Sequence, residues 1–301
     1  WWPGIVLLLL AGVSVAWVRS HDDWAFQQRN LTTAKYLIVF AILLLGWWTF
    51  FSRAPKRLRL TITFGLVGAA LVGASLFRLH GTTGDLMPIL EFRWAHRPPL
   101  VESSSSAGNT IQPVEAADSS PQFLGPNRTG VLPGPRLETN WAAHPPQILW
   151  RRGVGAGWSG FAVVKNMALT QEQQDANECV VAYDLGRGKE LWRHADPARY
   201  DNPIAGEGPH ATPTVVSNRV FTLGATGILN CLDLVTGKRL WSHDVVAEAG
   251  AKGLTWGCAS SPLVTGDLVI VHGGEGAGRS LYAYHVADGK SAWVGGTSDP
   301  G

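Results

Sequence analysis

The sequence predicts an α-helical membrane region followed by an all-β propeller, and three observations carry that expectation. Three apolar runs open the chain, at residues 5–18, 36–51 and 60–77. A tract of Ser, Pro, Ala and Glu, almost free of large apolar residues, occupies 98–121. Beyond it, one pattern of about fifty residues occurs three times, and each copy ends in tryptophan. Composition agrees: 35 Gly, 14 Trp and only 16% charged residues among 301 suit short strands and tight turns better than a helical bundle. The expected organisation is three transmembrane helices over 1–80, a juxtamembrane segment and linker over 81–120, and the propeller over 121–301.

A spanning helix needs about 20 mainly apolar residues, which the second and third runs reach with their flanks. The first is short, and the chain stops inside a repeat, as expected of a piece of a longer protein. One such run could be a cleaved signal peptide; three in succession cannot. Trp17, Trp47 and Trp48 stand near span ends, where indoles favour the interface. The loop 52–59 carries Arg53, Lys56, Arg57 and Arg59 without an acid, whereas Asp22 and Asp23 dilute the basic residues of the loop before it. The positive-inside rule therefore puts 52–59 in the cytoplasm and everything after Phe77 outside. For a bacterial chain this means an inner-membrane protein with its propeller in the periplasm. Gly65, Ala69 and Gly73 form a stripe of small residues that could seat a neighbouring helix; packing among the three spans is the favoured reading and dimerisation the alternative. No ionisable residue lies in the core of a span, so a transporter or proton relay has no support. Segment 84–94 mixes apolar, aromatic and charged residues and suits the membrane surface. Tract 98–121 cannot bury enough surface to offset its ordering entropy and is expected to be a flexible tether.

In the repeats, an alternating apolar strand ends in Asp184, Asp233 or His285. Gly188, Gly237 and Gly289, each followed by Lys, come four residues later, and Trp192, Trp241 and Trp293 eight residues later. Asp can bond local backbone amides and Gly supplies φ > 0, so the spacing reads as strand, turn, strand. A tryptophan buries roughly 150–250 Å², enough to dock one blade on the next. Upstream of each copy lies a second hairpin with a two-residue polar turn, giving four strands per blade. Trp150 ends a lone strand, expected to lack partners here and to pack poorly. Trp192 and Trp241 are expected to be buried, and Trp293 more exposed.

The Asp-x-x-x-Gly-Lys-x-x-Trp pattern resembles the tryptophan-docking repeat of the PQQ (pyrroloquinoline quinone) type of propeller. The stretch from Phe123 to Val131, Phe-Leu-Gly-Pro-Asn-Arg-Thr-Gly-Val, is similar to the lead-in of bacterial PQQ-binding-like β-propeller repeat proteins. The resemblance implies a ring of seven or eight blades, of which about three are expected on this chain, as an open arc. It also implies two kinds of member: quinoprotein dehydrogenases, which hold PQQ and calcium on the propeller axis, and binding relatives without the cofactor.

The residues themselves assign no catalytic group and no metal site, and PQQ with calcium rests on the resemblance alone. No adjacent Cys-Cys pair occurs, and no carboxylate cluster has calcium-ligand spacing. Residues ahead of the first strand of each blade are expected to face the axis: Trp158 and Ser159, His210 and Thr212, and Trp256, Cys258 and Ser260. Trp150, Asp184, Gly188, Trp192, Asp233, Gly237, Trp241, Gly289 and Trp293 are expected to be structural, at the docking seams. Cys179, Cys231 and Cys258 lack CxxC spacing and are expected as small apolar residues in strands. A net charge of +2 is too small to imply a nucleic-acid partner, no long basic run appears, and none is expected. The partners expected are the lipid bilayer and a protein on the propeller surface. A membrane-tethered binding or scaffolding propeller is the favoured reading, and a membrane-bound PQQ-dependent dehydrogenase of sugars or alcohols, passing electrons to quinone, is the alternative.

Overall fold

A computed structural model describes residues 2–21, 24, 26–83, 87–95, 103–104, 119–132, 137–202, 205–251, 254, 256–274 and 279–297. Most of the expected tether lies outside these. The chain divides into two compact units, Trp1–Arg97 and Pro98–Gly301.

The first unit has three helices, α1 (Trp2–Arg19), α2 (Phe26–Phe51) and α3 (Lys56–Leu76), each long and apolar enough to cross a membrane. Helix α2 starts ten residues before its apolar run because the polar residues ahead of the run continue the helix. Gly4 lets α1 approach α2 closely: a Cβ there would meet the Trp47 indole at 2.5 Å. Thr49 and Thr63 join α2 to α3 through a 2.8 Å hydroxyl hydrogen bond. The small-residue stripe does not serve the packing expected of it. Nothing lies within 4 Å of a Cβ built on Gly65 or Gly73, so the stripe faces away from the other two spans. Strands β1 (Phe77–Thr82) and β2 (Pro88–Phe92) then pair antiparallel, so much of the juxtamembrane stretch is a hairpin.

In the second unit, β3 (Ser103–Ser104) pairs antiparallel with β4 (Trp150–Arg151). The first four-stranded sheet is β5 (Ala162–Val164), β6 (Met167–Gln174), β7 (Asn177–Asp184) and β8 (Glu190–Asp196). A small pair follows, β9 (Asp201–Asn202) with β10 (Gly206–Glu207). The second sheet is β11 (Thr214–Val216), β12 (Arg219–Leu223), β13 (Ile228–Asp233) and β14 (Arg239–Asp244), closed by the short helix α4 (Val245–Ala249). The third is β15 (Leu263–Thr265), β16 (Leu268–His272), β17 (Leu281–His285) and β18 (Ser291–Gly295). All three are antiparallel meanders in chain order, the architecture of propeller blades. The apolar core lies between facing sheets. Leu169, Val180 and Ala182 of the first blade pack on Val220 and Leu232 of the second. Phe221 and Leu229 of the second pack with Val269 and Tyr284 of the third.

Local chemistry repeats from blade to blade. The first hairpin turns at 165–166, 217–218 and 266–267, and Lys165, Ser217 and Gly266 have φ near +55°, as tight hairpin turns require. Asn166 and Asn218 donate side-chain hydrogen bonds to Asp184 and Asp233, at 3.2 and 2.7 Å. In the third blade the pair becomes Asp267 with His285, at 3.0 Å, which explains how His replaces Asp at this turn. The pairing register of the last two strands shifts just before Trp192, Trp241 and Trp293. This bulge changes the face to which the tryptophan points.

The docking scheme runs from each tryptophan to the turn of the following blade. Trp150 Nε1 donates to Leu185 O at 2.8 Å, Trp192 Nε1 to Leu234 O at 2.9 Å and Trp241 Nε1 to Val286 O at 3.2 Å. The indoles lie on Gly188, Gly237 and Gly289, whose φ values are 65°, 67° and 73°. Any Cβ there would overlap the ring. Trp192 is 9% exposed, Trp241 half-buried and Trp293 40% exposed. Trp150 departs from expectation: its strand has a partner in β3, and its indole is half-buried on the first blade because it occupies the same socket as the others.

Candidate functional site

Each blade is entered through a loop that runs into its innermost strand, β5, β11 or β15. These loops interlock. Gly160, Thr212 and Ser261 lie two residues before those strands, and Gly160 N–H donates to Thr212 Oγ1 at 3.2 Å. One blade on, Thr212 N–H donates to Ser261 Oγ at 2.9 Å. Thr214 Oγ1 adds a 2.6 Å bond to Pro262 O, and buried Gln171 Nε2 donates to Ala211 O at 2.6 Å. The hydroxyl register explains why Ser261, rather than Ser260, carries the link; Ser260 is exposed.

The lead-in 119–132 lies along these inner strands. Ser120 exchanges backbone hydrogen bonds with Val163, and Val215 N–H donates to Pro121 O at 2.8 Å. Arg128, at φ 53°, donates through Nε to Gln122 Oε1 at 3.0 Å, while Nη2 reaches Pro262 O and Thr214 Oγ1. Burial lowers its pKa from the ordinary guanidinium value. Sequence reasoning missed Arg128 and Gln122 as parts of this face; the lead-in motif was the available signal. Between the lead-in and the first blade lies a cleft of about 340 Å³, lined by Ser120, Gln122, Phe123, Leu132, Phe161 and Thr212 among others.

The other candidates fall into two groups. Trp158, fixed by its N–H to Pro209 O at 2.8 Å, lays its indole over Gly206 and is 71% exposed. Neighbouring Ser159 turns inward, its Oγ accepting from Gln171 N–H at 3.2 Å. His210 instead packs edge-on to Tyr200, with ring centroids 5.6 Å apart. Burial lowers the His210 pKa, opposed by a hydrogen bond to the Trp256 backbone, so the ring is neutral near pH 7. Its Nε2 is buried without a partner. Trp256 is 50% exposed. Cys258 is 2% exposed and lies in a loop, not a strand; burial pushes its thiol up to about 12, so it is no nucleophile at neutral pH. Cys179 and Cys231 lie in β7 and β13. Calcium takes several carboxylate or carbonyl oxygens. The seven axial candidates include no carboxylate, and among the described residues no three His, Cys, Asp or Glu side chains converge as ligands. This donor set does not fit a calcium-bound quinone.

A charged cluster between the first and second blades escaped sequence analysis. Glu178 and Asp196 are directly paired across β7 and β8, and both are buried. Desolvation raises the Glu178 pKa, opposed by hydrogen bonds from Thr226, whose Oγ1 donates at 2.6 Å. Burial also pushes Asp196 up, but hydrogen bonds from His194 and Asn230 and the Arg239 charge outweigh it and hold its pKa low. The signal was faint: Glu178 and Asp196 lie at strand ends among other polar residues, where acids ordinarily meet solvent. A raised folded pKa means that ionised Glu178 costs stability at neutral pH, and that the cost vanishes below its unfolded pKa. Glu178→Gln is therefore expected to raise the melting temperature at pH 7, with the gain shrinking toward about pH 4. A pH-independent change would show that ionisation is not the cause.

Comparison with known proteins extends this geometry. Residues 176–301 match the family model described as outer membrane protein assembly factor BamB. BamB of Shewanella oneidensis is 30% identical over 156 residues, covering 50% of this chain and 36% of that protein. Quinohemoprotein alcohol dehydrogenase ADH IIB of Pseudomonas putida is 31% identical over 124 residues, covering 38% and 17%. Among solved structures, a europium-containing methanol dehydrogenase aligns with 21% identity and a TM-score of 0.36, over 47% of this chain and 25% of its own. BamB from Moraxella catarrhalis aligns with 15% identity and a TM-score of 0.33, over 48% and 38%. The chain thus spans well under half the length of each of these relatives. With three four-stranded blades and a tryptophan socket on each, the repeat region is similar to PQQ-like β-propeller repeat proteins, and residues 176–301 of it match their family model.

Proposed function

We propose that this chain is a membrane-tethered propeller that binds a protein partner. Its three spans hold it in a bacterial inner membrane, with loop 52–59 in the cytoplasm and the propeller in the periplasm. The observation that carries the binding role is the make-up of the inner-strand face. Hydroxyl-to-backbone bonds lock its loops together, and exposed aromatics rather than acid–base pairs stand on them: Trp158, Trp256 and Phe161. Rigidly mounted tryptophans are the side chains protein interfaces favour. The BamB relatives are named as protein assembly factors, which supports a non-catalytic role. The dehydrogenase relative keeps the second reading, a PQQ-dependent membrane enzyme, in view.

Photo-crosslinking from position 158 of the whole membrane-embedded chain is expected to give a discrete protein adduct, and Trp158→Ala in the presence of a crosslinker at 256 to weaken it. Saturable binding of added PQQ and calcium with alcohol-dependent dye reduction would instead establish the enzyme. For topology, reporter fusions at Pro55 and Gly125 are expected to be active in the cytoplasm and the periplasm, respectively; periplasmic activity at Pro55 would overturn the orientation.

A further inference from the structure

The hairpin after α3 has two unlike faces. Its register pairs Phe77 with Phe92 and Leu79 with Leu90, and sets Arg78 opposite Glu91. Paired residues and every second residue share a face of a strand pair, so Phe77, Leu79, Leu90 and Phe92 make one apolar face. Arg78 and Glu91 lie on the other, where the guanidinium donates twice to Glu91 Oε2, at 2.8 and 3.1 Å. The register shift between Leu79 and Gly81 confines the apolar face to the half nearer the helix, and Ile89 falls on the charged side. Trp94 extends the apolar face: its ring meets Phe92 edge-on at 5.3 Å, and Phe92 meets Phe77 at 6.0 Å. These five residues are between 43% and 63% exposed.

The helix fixes where this face stands. Phe77 N–H donates to Gly73 O, and Arg93 N–H donates to Leu76 O at 2.8 Å, so both strands are tied to the last turn of α3. A hairpin that leaves a spanning helix within one residue has its base where the hydrocarbon meets the headgroups. Two strands alone are marginally stable in water, and the Trp94 indole, apolar with one polar edge, favours that boundary.

We propose that the hairpin is an interfacial anchor: Phe77, Leu79, Leu90, Phe92 and Trp94 enter the boundary between headgroups and acyl chains, while Arg78 and Glu91 face water. The occupant is lipid, because the face continues from a helix that buries none of its own side chains in the protein. This rests on the reading of α3 as a membrane span.

The test uses the whole chain in phosphatidylcholine nanodiscs, spin-labelled singly at Leu79→Cys, Leu90→Cys, Arg78→Cys, Glu91→Cys and, as a reference inside α2, Leu43→Cys. Cys179, Cys231 and Cys258 are buried and label poorly. Collision rates with oxygen, which partitions into lipid, and with a water-soluble nickel chelate are compared at each site. The oxygen-to-nickel ratio is expected to be several-fold higher at 79 and 90 than at 78 and 91. Water-like ratios at all four hairpin sites, with a lipid-like ratio at 43, would overturn the anchor and leave the span intact. Shielding of 79 and 90 from both reagents would mean that protein covers the face, and would overturn it as well. A water-like ratio at 43 would remove the membrane reading and the anchor together.

Discussion

Trp192→Ala is expected to destabilise the propeller by about 3–5 kcal/mol, the usual cost of deleting a buried aromatic. At roughly 2–4 °C per kcal/mol for a domain of this size, the melting temperature of the detergent-solubilised chain falls by about 6–20 °C. The loss has two parts. The indole leaves a cavity above Gly237, and Leu234 O loses its 2.9 Å donor. The matched control is Trp293→Ala, expected within about 0.5 kcal/mol of wild type because that ring is 40% exposed. Gly237→Val probes the seam from its other side, since a Cβ at φ 67° collides with the Trp192 ring. In a Trp192→Ala background the collision disappears, so the double variant should cost less than the sum of the singles. Wild-type melting of Trp192→Ala would show that the docking contact is incidental.

Asp196→Ala carries the second large effect, about 3–5 kcal/mol, as for other buried ionic networks broken on one side. Its carboxylate accepts from Asn230 Nδ2 at 2.6 Å and Arg239 Nη1 at 3.0 Å, with His194 Nε2 at 3.5 Å. Removal leaves those groups unanswered, a loss only partly offset by relief of the repulsion between Asp196 and Glu178 across the strand pair. The pH dependence has a definite sign. A lowered folded pKa gives stability that is present above the unfolded value, near 3.9, and is lost as pH falls through the folded value. The deficit of Asp196→Ala against wild type should therefore close in acid, as the gain of Glu178→Gln does; the two differences are opposite in sign, and the Asp196 one closes at the lower pH. Urea titrations of both variants across pH separate them; parallel curves would mean that the two carboxylates do not titrate as described.

The blade architecture was legible because it is written in short-range spacing. Gly188, Gly237 and Gly289 each need φ > 0 and each stand four residues past the strand end, so the turn and the tryptophan after it are local features. The three helices were legible for the same reason, as apolar length. What was not legible depends on which distant residues meet. Nothing near Arg128 in the sequence says that it reaches Pro262, nor does anything near Glu178 point to Thr226. The loops ahead of each blade's first strand were located by position, but the hydroxyl link ran through Ser261 instead of Ser260 because a one-residue register decides which side chain faces the neighbouring blade. The hairpin after α3 was hidden by a different cause. Its strands are brief, one carries a bulge, and a mixed apolar and charged stretch reads equally as irregular chain.

The direction of docking, from each tryptophan forward to the following turn, has a consequence for synthesis. Trp192 leaves the ribosome ahead of Gly237 by about 45 residues, so at roughly 5–20 residues per second its ring waits some 2–9 s for the turn that will hold it. During that interval a large indole and an open sheet flank are both bare. Each blade is thus finished only by the one translated after it, and a ribosomal pause in that window leaves the newest sheet as the sticky end of the nascent chain. Slow codons between 192 and 237 should raise aggregation of this protein more than slow codons inside a completed four-stranded sheet.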